Sequence, residues 1–294
     1  MAWGEIMRLF TRNESKPERV QPAVSCRGLL VVTDNYIWQA HLWLEVFHAS
    51  NADIPVTINA LDRATFDAAS SLVEELGHPC TVTLHQRDPT RSFWSQRLSL
   101  WREALLKEKE DVLLVSDCDN FVVGSIGPLA LLCHGDHSAV VQPATGMPLA
   151  SIERWGFSLC CGMAILSRPR LADSSFMTLW ERETANCHDD QLGLNEILSD
   201  ARWQPKPARQ LIMGSLELDG HSFAVPSFLV SSRSPLYSCP MGPGTIFWHP
   251  NLNKAPRTIQ EARELSGAPL RMLRAFLLES IGKVERPLSY FGLA

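Results

Sequence analysis

Residues 112–120, VLLVSDCDN, decide the fold. The four consecutive apolar residues at positions 112–115 are typical of a short buried strand. Two acids spaced i, i+2, Asp117 and Asp119, follow that strand directly. In an open α/β sheet the carboxyl ends of the strands border the crevice where ligands bind. The sequence therefore predicts a ligand site immediately after this strand.

The spacing of Asp117 and Asp119 indicates the kind of ligand. Two carboxylates this close repel each other unless a cation or a cationic partner lies between them. Paired oxygen ligands suit Mg²⁺ or Mn²⁺, which keep coordination positions open for phosphate oxygens. The alternative is that both residues are ordinary turn or helix-cap acids. We favour a site for a metal and a diphosphate, because a clean apolar strand precedes the pair.

Composition and charge narrow the class of protein. With 294 residues the chain can form one large α/β domain or two small ones. A hydrophobic fraction of 45% and a charged fraction of 20% are those of an ordinary globular protein. The formal charge of −5 gives no electrostatic footprint for nucleic acid or an anionic membrane. A phosphate-bearing partner must therefore be held locally.

The ends and the cysteines bear on location. Residues 1–23 are mostly polar and are predicted to be a poorly ordered leader, and residues 24–294 a single domain. The leader lacks the apolar core of a signal peptide, and no run reaches the 18 apolar residues of a membrane span. We therefore expect a soluble, cytoplasmic protein. The eight cysteines contain no CxxC pair, which favours reduced, structural thiols.

The chain upstream of position 112 alternates between two kinds of pattern. Strand-like segments, of which the one at 81–85 shows apolar–polar alternation, alternate with segments of helical periodicity, which predicts a parallel sheet with helical crossovers. The strands are predicted at 27–33, 54–60 and 81–85, and the helices at 37–49, 63–76 and 91–109. The loop after the first strand commonly meets the nucleotide in such folds. Here that loop is Thr33, Asp34, Asn35 and Tyr36.

Arg97 is a candidate ligand for phosphate. The apolar stripe of the predicted helix at 91–109 includes Trp94, Leu98 and Trp101, and Arg97 falls about 60° from the centre of that stripe. From this edge a guanidinium can cover apolar surface and still reach a phosphate. A solvated surface arginine is the alternative.

The middle of the chain is predicted to return to the sheet. Residues 121–133 are expected to be a loop with a short helix, 139–142 a strand, and 143–155 a loop that could set acceptor specificity. Residues 157–166, FSLCCGMAIL, are an apolar run typical of a buried strand. Gly162 lies inside it, and an interior strand glycine often marks the close approach of a ligand or another backbone.

A predicted helix, DDQLGLNEIL, begins at Asp189. The helical periodicity places Asp190 on the apolar, inward face and Gln191 at its edge, with Asn195 one turn beyond. Helix capping explains Asp189 well. It explains Asp190 less well, because an inward carboxylate needs a partner.

The C-terminal third completes the predicted elements. Short strands are expected within 201–230, a Ser-, Pro- and Gly-rich lid at 231–243, and a last strand at 245–248 that ends at His249. An imidazole at a strand end can bind a metal, although a lone histidine is more often a surface or core residue. An interrupted helix is expected at 257–281.

Together, VLLVSDCDN, FSLCCGMAIL, DDQLGLNEIL and FWHPN resemble the nucleotide-diphospho-sugar transferases of the glycosyltransferase family 77 type, and more distantly those of family 8. The match in order and spacing covers residues 28–251. The resemblance implies an α/β protein of the GT-A type, with a Rossmann-like, mostly parallel central sheet and flanking helices.

The resemblance also implies the roles of individual residues. It implies a DxD motif, in which Asp117 and Asp119 flank Cys118 and bind Mn²⁺ or Mg²⁺ together with the donor diphosphate. It implies that His249 is a third metal ligand and that Asp190 and Gln191 meet the donor sugar. Further residues implied at the donor are Gly162 beside the sugar, Arg97, and Thr33 to Tyr36 at the nucleotide.

The implied activity is transfer of a hexose or pentose, with retention of configuration, from a UDP-sugar to an acceptor hydroxyl. The acceptor is a glycan, a protein, a lipid or a metabolite. The chain departs from the family at Asn120-Phe121 and Gly127-Pro128, where bulky apolar or acidic residues and a DP turn are usual. We also expect it to be without the membrane anchor that is usual in secretory-pathway members of the family.

Two alternatives remain at this point. Phosphatases of the haloacid dehalogenase type also carry Asp-x-Asp after a strand, but they expect Thr or Val where this chain has Phe121, and their motif normally opens the fold. The second alternative is a catalytically inactive protein that binds a nucleotide-sugar.

Overall fold

The computed structural model describes residues 24–33, 36–207, 210–227, 231–233 and 245–249. Six predictions lie wholly or partly outside these residues. They are the leader at 1–23, the single domain at 24–294, Asp34 and Asn35 of the nucleotide loop, the short strands within 201–230, the lid beyond residue 233, and the helix at 257–281.

The first half of the described chain is a parallel sheet with helical crossovers, as predicted. Its four strands lie in the order β3-β2-β1-β4 and all pair in parallel. The strands are β1 (Cys26–Val32), β2 (Val56–Ala60), β3 (Cys80–Leu84) and β4 (Val112–Ser116). The crossover helices are α1 (Ile37–Ser50), α2 (Arg63–Leu76) and α3 (Phe93–Lys107).

Capping residues lie at the ends of α2 and α3. Asp62 caps α2 by accepting a hydrogen bond from the Thr65 N–H at 2.8 Å, and Ser92 caps α3 in the same way at 3.1 Å to Ser95. Helix α2 ends at Gly77, whose φ of 64° is the left-handed conformation that favours glycine.

The second half extends the same sheet to nine strands. The complete order is β3-β2-β1-β4-β7-β6-β10-β9-β8, and β7 and β9 run against the other seven strands. The additional strands are β6 (Ala139–Ala144), β7 (Ser158–Ser167), β8 (Arg202–Pro205), β9 (Ile212–Leu218) and β10 (His221–Pro226). The predicted mostly parallel sheet is confirmed.

The central strands are apolar throughout because both faces of the sheet are covered. Side chains alternate between faces along a strand, so Leu29 and Val31 pack into one core cluster while Leu30 and Val32 pack into the other. A strand buried on both faces has no need of polar alternation. This explains why VLLV reads as an uninterrupted apolar run.

Helices at 127–197 complete the described fold, and they correct the sequence analysis. They are α4 (Gly127–Gly135), α5 (Leu149–Trp155), α6 (Arg168–Leu171), α7 (Phe176–Cys187) and α8 (Asp190–Ile197). The loop predicted at 143–155 is wrong over most of its length, since β6 runs to Ala144 and α5 begins at Leu149. The Pro and Gly residues of this segment, on which the loop prediction rested, lie at or near the ends of β6 and α5.

A second, small sheet joins distant parts of the chain in the order β11-β12-β5. Strand β5 (Phe121–Val122) follows the acid pair, and it pairs antiparallel with β12 (Phe247–His249) through Trp248 opposite Phe121. Strand β11 (Ser231–Arg233) pairs in parallel with β12. The sequence analysis missed β5 because its partner lies about 125 residues away along the chain.

Two further findings concern the chain as a whole. The seven cysteines among the described residues are free thiols, as predicted. Among the helices that the structure describes, none combines the length and apolar character of a membrane crossing.

Candidate functional site

The turn after β4 is tightly held from both sides. The N–H of Asp117 donates to the Gly162 carbonyl of β7 at 2.7 Å, and the N–H of Asn120 closes the turn onto the Asp117 carbonyl at 3.1 Å. The Asn120 carbonyl accepts from the indole N–H of Trp43 at 2.9 Å and from the Ser116 hydroxyl at 3.2 Å. Because the backbone is fixed, Asp117 and Asp119 have defined directions.

Asp117 is paired with a buried arginine that also binds Asp190. One guanidinium nitrogen of Arg97, Nη1, donates to Asp117 Oδ1, and the other, Nη2, donates to Asp190 Oδ2. Arg97 is 2% exposed, and the side chain of Asp117 remains 27% exposed. A single cation therefore joins the end of β4 to the start of α8 while Asp117 still faces solvent.

Aromatic rings surround the Arg97 guanidinium. Its central carbon lies 4.9 Å from the ring centroid of Trp94, 4.7 Å from that of Trp101 and 6.0 Å from that of Phe93. These contacts offset part of the cost of burying the charge. The solvated surface arginine considered from the sequence is therefore wrong. The structure shows Arg97 bound to carboxylates, and its predicted contact with the donor stays a prediction.

Asp190 begins helix α8 and is buried, as its inward position predicted. Asp189 caps this helix, accepting from the Leu192 N–H at 2.8 Å. The backbone carbonyl of Asp190 accepts from the Trp180 indole at 2.9 Å and from the Cys161 thiol at 3.2 Å. Burial raises the pKa of Cys161 well above its usual range, so the thiol keeps its proton. Asp190 is thus held at both backbone and side chain.

Asp119 is paired with His249. Their facing atoms, Oδ2 and Nε2, are 3.3 Å apart, and both side chains are mostly buried. The register of the small sheet explains the contact. Trp248 lies opposite Phe121 in this antiparallel pair, so the next residue, His249, lies beside the acid pair. A pairing over long sequence distance therefore completes the site.

The two partners shift each other's pKa. Burial by itself lowers the pKa of His249, but the Asp119 carboxylate and the sulfur of Cys160 beside the ring raise it to about 9. Burial likewise opposes ionisation of Asp119, and His249 overcomes this effect and lowers the pKa of the carboxyl. In the metal-free protein the pair is consequently an ion pair at neutral pH.

Gly162 lies against the acid pair, as an interior strand glycine suggested. A Cβ at this position would lie 3.3 Å from Asp117 Oδ2, 3.2 Å from Asn120 Nδ2 and 3.4 Å from the Cys160 sulfur. These separations are tighter than ordinary contacts. The absence of a side chain therefore lets Asp117 and Asn120 pack closely against β7.

Gln191 and Asn195 extend the site along α8. The Gln191 amide donates to the Met147 carbonyl at 2.7 Å, which ties the segment after β6 to the start of α8. Asn195 accepts from the Leu159 N–H at 3.0 Å and donates to the Leu159 carbonyl at 2.9 Å, so it caps the edge of β7. Asn195 also donates to the Gln191 carbonyl at 2.7 Å.

The nucleotide loop is only partly described. Thr33 follows β1, and Tyr36, 47% exposed, precedes α1. Strand β1 is the parallel neighbour of β4, with Leu30 opposite Ser116, so this loop and the acid pair share one edge of the sheet. Their predicted role at the nucleotide stays a prediction.

Asp119 and His249 fit the donor set of a divalent ion. Two protein ligands, each about 2.1 Å from a shared ion, are roughly 3 Å apart, which matches the observed 3.3 Å between Oδ2 and Nε2. Across the described residues no group of three His, Cys, Asp or Glu side chains is placed to hold an ion. With Asp117 engaged by Arg97, an ion here would need ligands from the substrate, as magnesium sites at phosphates commonly do.

Sequence reasoning missed two polar contacts around the site. Cys160, interpreted as a small hydrophobe, lies beside His249. Asn120 and Gln142 are completely buried, and the Asn120 amide donates to Gln142 at 2.5 Å, joining the acid turn to β6. A polar residue directly after an apolar strand and acid pair was the available signal for Asn120. No local signal identifies Cys160, because its neighbour His249 comes from a distant strand.

Comparisons with known proteins address the fold. No family model and no curated protein sequence matches the chain. Among solved structures, the glycosyltransferase GlyE of Streptococcus pneumoniae TIGR4 superposes with a TM-score of 0.52 at 13% identity, covering 90% of this chain and 66% of GlyE. The chain thus spans just under two thirds of the length of GlyE.

A second neighbour is the galactosyltransferase LgtC, solved with donor and acceptor sugar analogues. It superposes with a TM-score of 0.52 at 13% identity and covers 91% of this chain and 100% of LgtC. The chain has the α/β fold of these GT-A glycosyltransferases, as the sequence predicted. At this level of identity the likeness establishes the fold alone.

Proposed function

We propose that this protein is a metal-dependent glycosyltransferase that moves a sugar from a UDP-sugar to an acceptor hydroxyl with retention of configuration. The observation that supports this function best is the arrangement at the end of β4. There, two acids in one motif have separate cationic partners, Arg97 and His249. A site with an ion-compatible pair beside a fixed, inward carboxylate suits a substrate that combines a diphosphate with a sugar.

Asp119 and His249 would hold the ion, which is Mn²⁺ or Mg²⁺. Asp117 would lie next to the ion. When bound, such an ion neutralises the charge that grows on a departing nucleoside diphosphate. Asp119 and His249 already face each other across 3.3 Å, so little rearrangement is needed before binding. His249 must give up its proton to become a ligand, because only the neutral imidazole has a free lone pair.

Arg97 would position Asp190, the carboxylate that meets the sugar, relative to Asp117. Through Nη1 and Nη2 it holds Asp117 and Asp190 at a set separation. Asp190 would orient the sugar hydroxyls and stabilise positive charge that develops at the anomeric carbon. Gly162 has no side chain, so the Asp117 carboxylate and the Asn120 amide can lie directly against β7 beside the proposed sugar position.

The bond changes follow from the substrates. The bond between the anomeric carbon and the diphosphate oxygen breaks, and its electron pair leaves with the nucleoside diphosphate. A new bond forms from the anomeric carbon to the acceptor oxygen on the same face of the ring. The proton of the acceptor hydroxyl leaves with the departing phosphate, which is a competent acceptor.

The phosphatase alternative receives less support from the geometry. In that mechanism the first acid of the pair is the nucleophile. In this structure one oxygen of that acid, Asp117, accepts a hydrogen bond from the buried guanidinium of Arg97, which lowers its nucleophilicity. Arg97 also ties Asp117 to Asp190, a relation that phosphate hydrolysis does not require.

A donor screen tests the proposal. Melting temperatures are measured with UDP, GDP and their common sugars, with and without Mn²⁺, because a ligand that binds only the native state raises the melting temperature. We expect a Mn²⁺-dependent rise with UDP or a UDP-sugar that disappears in Asp119→Asn. The matched control is Asp111→Asn, at the opposite end of β4, where Asp111 accepts from the Ser25 hydroxyl.

Turnover distinguishes an enzyme from an inactive binder. Release of UDP from the UDP-sugar that binds, measured with and without a mixture of saccharide acceptors, is expected in the native protein and absent in Asp119→Asn. Binding without any UDP release would contradict the enzymatic function. A melting response to Mg²⁺ with a phosphate analogue, and to no nucleotide, would favour the phosphatase instead.

A further inference from the structure

A groove lies between helices α5 and α8. It encloses about 240 Å³, and its apolar wall includes Pro148, Trp155 and Leu192. Arg154 and Glu196, both exposed, stand at its rim. Neither helix contributes a residue to the ion-binding pair, so this groove is a separate space from the one at Asp119 and His249.

The groove adjoins the proposed sugar site at Gln191. The Gln191 amide donates to the Met147 carbonyl at 2.7 Å, and the next residue of each segment, Leu192 and Pro148, lines the groove. Asn195 also lines it while holding Leu159 of β7 and the Gln191 carbonyl. The groove is therefore joined to Asp190 through one turn of α8.

The mouth of the groove has an unusual surface. Met147 is 60% exposed and Leu149 is 61% exposed, and they flank the lining residue Pro148. They are two of the five large hydrophobic side chains that are exposed among the described residues. Single exposed hydrophobic residues are ordinary, but two of them beside an apolar cavity indicate a binding surface.

We propose that this groove binds an apolar group attached to the acceptor sugar, such as an aromatic aglycone. The proposal rests on the proposed function, since it assigns the acceptor of that same reaction. The acceptor sugar would lie near Gln191 and Met147, and its apolar substituent would lie against Trp155 and Leu192. An apolar wall of this kind favours a ring without hydroxyls over a second, hydroxylated sugar.

The size of the groove limits the occupant to one ring. From Leu192 to Glu196 helix α8 rises about 6 Å, at 1.5 Å per residue. The volume of about 240 Å³ is below the roughly 300 to 1,000 Å³ of pockets that enclose a drug-sized ligand. A phenyl ring fits such a space, and an extended oligosaccharide does not.

Binding of simple glycosides tests this assignment without a donor. The probes are p-nitrophenyl and methyl glycosides of glucose, galactose and mannose, titrated into the full chain by ligand-observed NMR or calorimetry. For the sugar that binds best, we expect the aryl glycoside to bind about tenfold more tightly than the methyl glycoside. Equal affinities, or binding of neither form at millimolar concentration, would overturn the proposal.

Two substitutions on α5 form a matched pair. Ala150 is exposed and lines the groove, whereas Glu153 is exposed on the same helix and does not line it. Ala150→Trp fills the groove and is expected to weaken aryl-glycoside binding about tenfold or more, while Glu153→Trp changes it less than about twofold. Equal effects of the two variants would contradict a role for the groove.

A third variant controls for the possibility that the added bulk of a tryptophan disturbs folding. Leu192→Ala removes part of the apolar wall without adding bulk, and it is expected to weaken the aryl glycoside several-fold and the methyl glycoside little. The Mn²⁺-dependent response to UDP is expected to persist in all three variants. If that response persists while no variant affects glycosides, only the groove assignment fails. If aryl glycosides bind and no nucleotide does, the proposed function fails, and the acceptor role fails with it.

Discussion

The two acids of VLLVSDCDN stand two residues apart, yet they belong to different parts of the molecule. Asp117 belongs to a buried unit with Arg97 and Asp190, in which the positive charge is a guanidinium that stays protonated. Asp119 pairs with His249, whose charge depends on pH and which can exchange its proton for an ion. One motif therefore carries a permanent positioning contact at Asp117 and an exchangeable contact at Asp119.

The largest expected effect comes from removing the permanent charge. Arg97→Met leaves the buried Asp190 carboxylate without its cation, which costs about 3 to 5 kcal/mol in the free energy of unfolding. Urea unfolding measures this loss. The control is Arg102→Met, since Arg102 lies on the same helix with its side chain 42% exposed, and a change within about 0.5 kcal/mol is expected there. Equal stability of the two variants would show that the buried unit does not stabilise the fold.

On the exchangeable side the expected loss is one of activity. Asp119→Asn removes the proposed ion ligand while keeping the shape of the side chain, and we expect UDP release to fall about a hundredfold or more. Its fall in unfolding free energy should be smaller than that of Arg97→Met. Asp111→Asn serves as the control at the other end of β4 and should retain native activity. Full activity of Asp119→Asn would remove this residue from the mechanism.

The pH dependence of stability sharpens the contrast. The folded pKa of His249, about 9, lies above the ordinary value near 6.5, so its contribution is complete below pH 6.5 and is lost as pH rises through 9. Between pH 6.5 and 8 the metal-free protein should lose about 2 kcal/mol of unfolding free energy from this residue. His249→Asn should flatten the profile in that range, whereas Arg97→Met should leave its slope unchanged. Equal slopes of the native protein and His249→Asn over this range would contradict the ion pair.

The smallest expected effect lies between the two units. Gly162→Ala adds a Cβ 3.3 Å from Asp117 Oδ2, where the neighbours must give way by a few tenths of an ångström. We expect a loss of about 1 kcal/mol in stability or less, and a fall of about tenfold in kcat/KM for the UDP-sugar. Gly156→Ala is not a matched control because its φ of 83° adds backbone strain. Gly135→Ala is suitable, since its Cβ would meet nothing within 4 Å.

Local signals predicted a large part of the fold. Apolar runs predicted the strands that are covered on both faces, such as β1 and β4, because such strands show no alternation. The inward position of Asp190 predicted that it needs a partner. The order of the motifs also predicted the α/β fold that the solved structures share.

The features that could not be predicted from the sequence depend on contacts between residues that are distant along the chain. Strand β5 has two residues and forms only because β12 returns beside it, so no local pattern marks it. The burial of Arg97 depends on carboxylates from β4 and α8 together, whereas helical periodicity reports only the face of its own helix. The same limit applies to Cys160 and His249, which become neighbours through the two sheets.

The separate roles of Asp117 and Asp119 are tested most directly by a crystal structure with UDP and Mn²⁺, in which the ion is located by its anomalous scattering. We expect one manganese peak bound to Asp119 and His249 Nε2 and completed by diphosphate oxygens, while Arg97 still bridges Asp117 and Asp190. A manganese ion bound elsewhere, or one that binds Asp117 and Asp190 with Arg97 displaced, would contradict the separate roles of the two acids.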